Sequence, residues 1–158
     1  MTMQATEVSV RREVVVEATP ERAFEVFTAG FDRWWPRTHK LGEADLAEAI
    51  LEPKTGGRWY ERTVDGRECD WGEVLAYDPP RRLLLSWLLD PQFEIDADNP
   101  TEVEVRFTAA GPERSRVEIE HRGLERFGPD GAEKMRSAID SEGGWQGILE
   151  GYAEAVRA

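Results

Sequence analysis

His121 is the residue of this sequence best placed to do chemistry. It stands in phase with Val117 and Ile119, while Arg116, Glu118 and Glu120 alternate with them. A strand with period two sends His121 to the apolar side, where an imidazole needs a hydrogen-bond partner. The commoner outcome is a satisfied core histidine. The functional alternative is a cavity donor or a proton shuttle, because a histidine pKa near neutrality moves easily with its surroundings.

Glu61 and Tyr60 are adjacent in another β-type segment and therefore point to opposite faces. If Trp59 faces inward, Glu61 enters a pocket with it and is desolvated. If Tyr60 faces inward, Arg58 and Arg62 share its face and could meet an anionic ligand group. Both arrangements remain open at this point.

Six tryptophans occur: Trp34, Trp35, Trp59, Trp71, Trp87 and Trp145. Together with Phe107 and Tyr152 they either line a pocket for a flat or aliphatic ligand or simply fill a wide space under a helix. From the strand-like segments, the candidate cavity residues are Trp59, Glu61, Trp71, Trp87, Phe107 and His121. From the helical segments they are Trp35, Trp145, Leu149 and Tyr152.

Other constellations argue against particular chemistries. Cys69 lies between Glu68 and Asp70, whose charges disfavour a thiolate. As the one cysteine of the chain it has no disulfide partner within it, which agrees with a reducing compartment. Asp96, Asp98 and Asn99 resemble the start of a calcium loop, but Pro100 and the lack of a late bidentate Glu spoil it. The two histidines and one cysteine give no zinc spacing. Gly56-Gly57 precedes a strand instead of opening a helix, so it reads as a turn and not a phosphate loop. No metal, no cofactor and no assigned catalytic residue is the resulting expectation.

The formal charge of -12 repels phosphate backbones and anionic membranes, which argues against a nucleic-acid partner. The run Leu83 to Leu89 is too short to span a bilayer, and the N-terminal residues lack a signal pattern, so no membrane insertion and a cytoplasmic location are expected.

The elements that must position these residues follow from periodicity and punctuation. Val8 to Ala18 is a β-branched run ended by Thr19-Pro20, which caps a helix over 20–28 with Ala23, Phe24, Val26 and Phe27 as its buried stripe. A second short helix covers 31–35, between Gly30 and Pro36. Strands are predicted over 46–51, 57–63, 68–77, 82–89, 102–109 and 115–122. Asp65-Gly66 predicts a two-residue hairpin turn.

A helix over about 130–140 and a kink at Gly143-Gly144 precede a C-terminal amphipathic helix. The apolar face of that last helix is Trp145, Ile148, Leu149, Tyr152, Ala153 and Val156, and Gly147 and Gly151 fall on its polar side. The expectation is one domain over 1–158, with a core over about 8–156. It is an α+β arrangement in which a curved antiparallel sheet of about seven strands surrounds the last helix and encloses an apolar cavity. Leu84, Leu88 and Phe93, if exposed, would mark a dimer face; monomer and homodimer both stay open.

Specific words sharpen this reading. GGRWYERTVDG (56–66), DWGEVLAYDPPRRLLLSW (70–87), VEIEHRGL (117–124) and GGWQGILEGYAEAV (143–156) resemble the SRPBCC superfamily with its helix-grip, START-like fold, particularly the branch related to the activator of heat-shock-protein-90 ATPase. The resemblance covers nearly the whole chain, from about Val8 to Val156. It implies a birch-pollen-allergen-like sheet around a C-terminal helix. Members bind lipids, sterols or polyketides, cyclise polyketides, or assist the chaperone. The eukaryotic co-chaperone carries a separate N-terminal chaperone-binding domain, and no such domain precedes the first strand here. The resemblance therefore implies, first, binding of a small apolar or amphipathic molecule; second, association with a chaperone through the acidic outer face of the sheet; and third, cofactor-independent cyclase or hydrolase chemistry from His121.

Overall fold

The computed structural model describes residues 8–92, 94–98, 100–140 and 144–157. Phe93, Asn99 and Gly143, on which parts of the dimer-face, calcium-loop and helix-kink expectations rest, lie outside the described residues; Leu84 and Leu88 are half-buried.

Seven antiparallel strands form one sheet: β1 (Ser9–Val16), β2 (Leu46–Leu51), β3 (Arg58–Thr63), β4 (Glu68–Asp78), β5 (Arg82–Trp87), β6 (Thr101–Gly111) and β7 (Arg114–Arg122). Their order across the sheet is β1-β7-β6-β5-β4-β3-β2. Helices α1 (Pro20–Thr28) and α2 (Phe31–Trp34) link β1 to β2, and α3 (Gly128–Ile139) and α4 (Trp145–Arg157) follow β7. The sheet curls as a half-barrel with α4 held against it, a helix-grip arrangement.

Local chemistry accounts for the helix bounds. Thr19 caps α1 by accepting the Arg22 N–H at 3.3 Å, with Pro20 in the first turn where its missing N–H costs nothing. A 3-10 turn over Leu124–Phe127, which the pattern did not foretell, leads directly into α3. On α4 every predicted inward residue is buried, Trp145, Ile148, Leu149, Tyr152, Ala153 and Val156. Burying a side chain of the Leu149 kind stabilises by about 1.5–3 kcal/mol. Tyr152 adds direction: its hydroxyl donates to the Ala23 carbonyl at 2.6 Å and its ring meets Phe27 at 5.2 Å, which ties α4 to α1.

Two expectations need correction. Gly66 takes φ 86 and its N–H donates to the Thr63 carbonyl, while the Thr63 N–H donates to the Arg67 carbonyl, so the β3–β4 loop is longer than two residues. The Asp65 carboxylate favours this geometry by accepting from the Thr63 hydroxyl and the Arg67 N–H. Gly151 is half-buried and not on a free polar face: a Cβ there would meet the Trp34 carbonyl at 3.6 Å, an ordinary contact distance, so the position faces α2 without requiring glycine.

The register between β3 and β4 steps from Trp59↔Gly72 to Tyr60↔Asp70, so β4 carries one extra residue, Trp71. Such a bulge re-aims side chains. Asp70 stays outside with Arg58, while Trp71 turns into the core at 3% exposure. Gly72 is required beside it: a Cβ there would fall 1.8 Å from the Ser86 carbonyl oxygen.

Candidate functional site

A cavity of about 300 Å³ lies between the loop at 38–41 and the α3–α4 junction, within the size range of small-molecule sites, roughly 300–1,000 Å³. Trp35, Trp71, Trp87 and Leu89 form one side, and Ile139, Gly144, Trp145 and Ile148 form the other. Among the described residues, the polar side chains of the lining fall in one stretch, Thr38, His39 and Lys40, next to Leu41.

The four cavity indoles form a connected set, with ring centroids 5.0 Å apart for Trp35 and Trp71, 6.4 Å for Trp35 and Trp145, and 5.7 Å for Trp87 and Trp145. Three of them are held by their own N–H. Trp35 Nε1 donates to the His39 carbonyl at 2.9 Å, Trp71 Nε1 to Glu61 Oε1 at 2.9 Å, and Trp145 Nε1 to His121 Nδ1 at 3.1 Å. Rings fixed this way present preorganised flat walls and lose little freedom when a ligand arrives. Trp87 differs: its Nε1 is buried and has no hydrogen-bond partner among the described residues.

Glu61 faces inward, fully buried, on the same side as Trp59. That resolves the two arrangements left open by the alternation of β3. Its carboxylate accepts from Leu41 N at 2.5 Å, Gly42 N at 2.9 Å and Trp71 Nε1. A buried carboxylate survives only when its lone pairs are occupied, and here two of the three donors come from a loop some twenty residues upstream. Glu61 thereby holds the cavity wall at Leu41 and orients Trp71. Across the strand, Tyr60 packs outward beneath the Arg58 guanidinium, 3.8 Å from its ring centroid, and Arg58 pairs with Glu68 and Asp70.

His121 is fully buried and satisfied at both nitrogens. An indole N–H only donates, so Nδ1 must be the acceptor of the Trp145 bond and the proton sits on Nε2. Nε2 then donates to Thr101 Oγ1 at 2.8 Å, and that hydroxyl passes its own hydrogen to the Trp87 carbonyl at 3.4 Å. Desolvation pushes the imidazole pKa down to about 3. At neutral pH the ring is an uncharged pin between β7, β6 and the first turn of α4.

Of the residues singled out from sequence, Trp35, Trp71, Trp87 and Trp145 line the cavity. Trp59, Glu61 and His121 stand behind that wall and contact its members directly. Phe107 and Tyr152 lie deeper, in a ring cluster with Phe24 and Phe27, and Leu149 is buried in the α4 interface. Thr38 to Leu41, Leu89, Ala138, Ile139, Gly144 and Ile148 were missed; Thr38 to Leu41 and Gly144 lie in irregular segments that carry no periodicity, while Ala138, Ile139 and Ile148 sit on α3 and α4, where periodicity gives burial but not which buried residue borders a cavity. The signal that could have found the loop is the need of a buried Glu61 for donors.

Residues 17–157 match the family described as "Activator of Hsp90 ATPase homolog 1-like protein". The chain belongs to this family. Among solved structures, an anthrahydroquino-γ-pyrone synthase, Txn09, complexed with SUM, is 39% identical over 97% of this chain and 99% of that one, with a TM-score of 0.65. CalC from Micromonospora echinospora, a self-sacrificing resistance protein, is 32% identical over 94% of each chain, with a TM-score of 0.69. Protein NE0264 from Nitrosomonas europaea shares the fold at 10% identity and a TM-score of 0.65. No curated protein matches the chain.

The cavity lies at the N-terminal end of α4, bordered by Trp71 and Trp87 of the sheet, the 38–41 loop and the α3–α4 junction. Among the described residues no group of three or more His, Cys, Asp or Glu is arranged to hold a metal, and no helix is long and apolar enough to cross a membrane. The outer face of β5–β7 carries paired charge: Arg82, Arg106 and Arg122 surround the nearly buried Glu104 carboxylate.

Proposed function

We propose that this chain binds a planar aromatic, amphipathic small molecule between the tryptophan wall and the first turns of α4. The observation that carries the reading is the set of four indoles lining one cavity, with polar groups gathered at Thr38, His39 and Lys40. A flat polycyclic ligand stacks on such rings, each favourable aromatic pair contributing about 0.5–1.5 kcal/mol beyond area burial, while a polar substituent meets the polar stretch. Two relatives above 30% identity lend support, since one is named as an anthrahydroquino-γ-pyrone synthase and the other as a self-sacrificing resistance protein.

Acid–base chemistry from His121 has less support, because both ring nitrogens are engaged and the ring stays neutral. Chaperone docking through an acidic sheet face also has less support than ligand binding, because the outer β5–β7 carboxylates are compensated by arginines.

Native mass spectrometry of freshly purified protein, followed by extraction of anything retained, tests the proposal. A stoichiometric aromatic adduct is the expected result. A lipid adduct, or an apo protein that retains no aromatic compound offered in excess, contradicts it.

A further inference from the structure

Lys40 is the one lysine or arginine in the lining of the tryptophan cavity, and among the described residues that lining contains no aspartate or glutamate. In a chain of formal charge -12, with 32 acidic side chains against 20 basic ones, a wall free of carboxylates and carrying an ammonium reverses the prevailing sign of charge. The other two lysines, Lys54 and Lys134, are exposed and lie outside the lining.

The Lys40 side chain is half-buried, and its Nζ donates to the Gly42 carbonyl at 2.8 Å and the Glu43 carbonyl at 3.2 Å. An ammonium has three N–H groups, so the two carbonyls leave one donor, and no carboxylate among the described residues neutralises the charge. Unlike the packed indoles beside it, a lysine carries its charge on a flexible four-carbon stem and can swing it along the wall that its own residue forms. We propose that Lys40 is a specificity-determining residue whose ammonium receives an anionic substituent of the aromatic ligand, such as a carboxylate, a sulfonate or an ionised phenol. This inference rests on the ligand-binding reading above and adds the sign of the ligand's charge. The rings lie against Trp71, Trp87 and Trp145, and the anion lies at the 38–41 loop, where a half-buried pair keeps part of its hydration and avoids the desolvation cost of a fully buried one.

The two carbonyl bonds also brace the loop whose Leu41 and Gly42 amides donate to Glu61. A brace alone would treat charged and neutral ligands alike, whereas a receiver of anions tells them apart. The overall field of a chain of charge -12 works against anions, so a preference for one has to come from a local cation.

The test uses the full chain and two probes of nearly the same shape, anthracene-2-carboxylate and anthracene-2-carboxamide, which differ in charge. The expected result for wild-type protein is about tenfold tighter binding of the carboxylate. The ε-methylene resonance of Lys40 should shift with the carboxylate alone, and those of Lys54 and Lys134 should stay in place. Lys40→Met keeps an unbranched apolar stem and removes the charge, so it should bind the carboxylate about as weakly as the carboxamide, whose own affinity stays at the wild-type value. Equal affinity of wild-type protein for the two probes, or a carboxylate preference that persists in folded Lys40→Met, overturns the inference while leaving ligand binding intact. Binding of neither probe to wild-type protein overturns the binding reading and the inference with it. If Lys40→Met does not fold, the wild-type spectra decide: a carboxylate preference without a shift at Lys40 overturns the inference.

Discussion

Trp145 Nε1 and His121 Nδ1 lie 3.1 Å apart, the helix residue donating to the strand residue. This one bond joins α4 to the sheet at the cavity wall and fixes the imidazole tautomer, because indole cannot accept. The Thr101 hydroxyl completes the chain on the Nε2 side. A histidine that looked like a candidate for proton transfer is thereby held neutral by burial.

It follows that His121 titrates far below its ordinary value, near pH 3. Its folded pKa is lowered, so its contribution to stability is present above the unfolded value of about 6.5 and is lost as pH falls toward 3, at up to ~1.4 kcal/mol per pH unit. Long-range imidazole nitrogen–proton spectra at about pH 5 should show a neutral ring protonated at Nε2; an imidazolium pattern there would contradict the geometry.

Trp145→Phe keeps the ring and deletes the donor, stranding a buried acceptor. The expected loss is about 1–3 kcal/mol in urea unfolding. Gln146→Ala, next along the helix and exposed, should change stability by no more than about 0.5 kcal/mol. Equal effects from the two substitutions would show that the bond contributes nothing.

Glu61→Gln replaces one acceptor oxygen with an NH2 group facing donors. The Leu41 and Gly42 amides, which now donate to this carboxylate, should exchange with solvent faster, and stability should fall by at least about 2 kcal/mol. Unchanged protection at both amides would remove Glu61 as the anchor of the cavity wall.

On the outer face, burial raises the Glu104 pKa, but hydrogen bonds from Arg82 and Arg122 outweigh it and bring the carboxyl down to about 2. A lowered carboxyl pKa contributes stability above the ordinary value near 4.5, and that contribution is lost as pH falls toward 2. Stability followed from neutral to acid pH should therefore drop less steeply below about 4.5 in Glu104→Gln than in the wild type, and parallel curves would rule out this network as a source of acid sensitivity.

Much of the fold was legible because its signals are local. The Thr19-Pro20 cap placed α1 to the residue, and the α4 stripe named every buried position. Alternation in β7 correctly turned His121 inward. The choice between Glu61 and Tyr60 was not legible, because it is decided by donors from the 41–42 loop, distant in sequence. Nor was the inward turn of Trp71, which depends on a bulge and on the contact of Gly72 with the Ser86 carbonyl. The cavity itself is bordered by irregular segments, whose positions follow from such long-range bonds and not from any period.

The central claim is that the tryptophan-lined space is a binding site. The most direct measurement is a tryptophan-fluorescence titration with anthraquinone-2-sulfonate, run on wild-type protein and on Ile148→Trp, which places a larger ring into the cavity from α4. The account predicts saturable one-to-one quenching in the wild type and at least about tenfold weaker binding in a folded Ile148→Trp variant. Saturable binding of equal strength in both proteins would mean that the ligand sits elsewhere and would contradict the account.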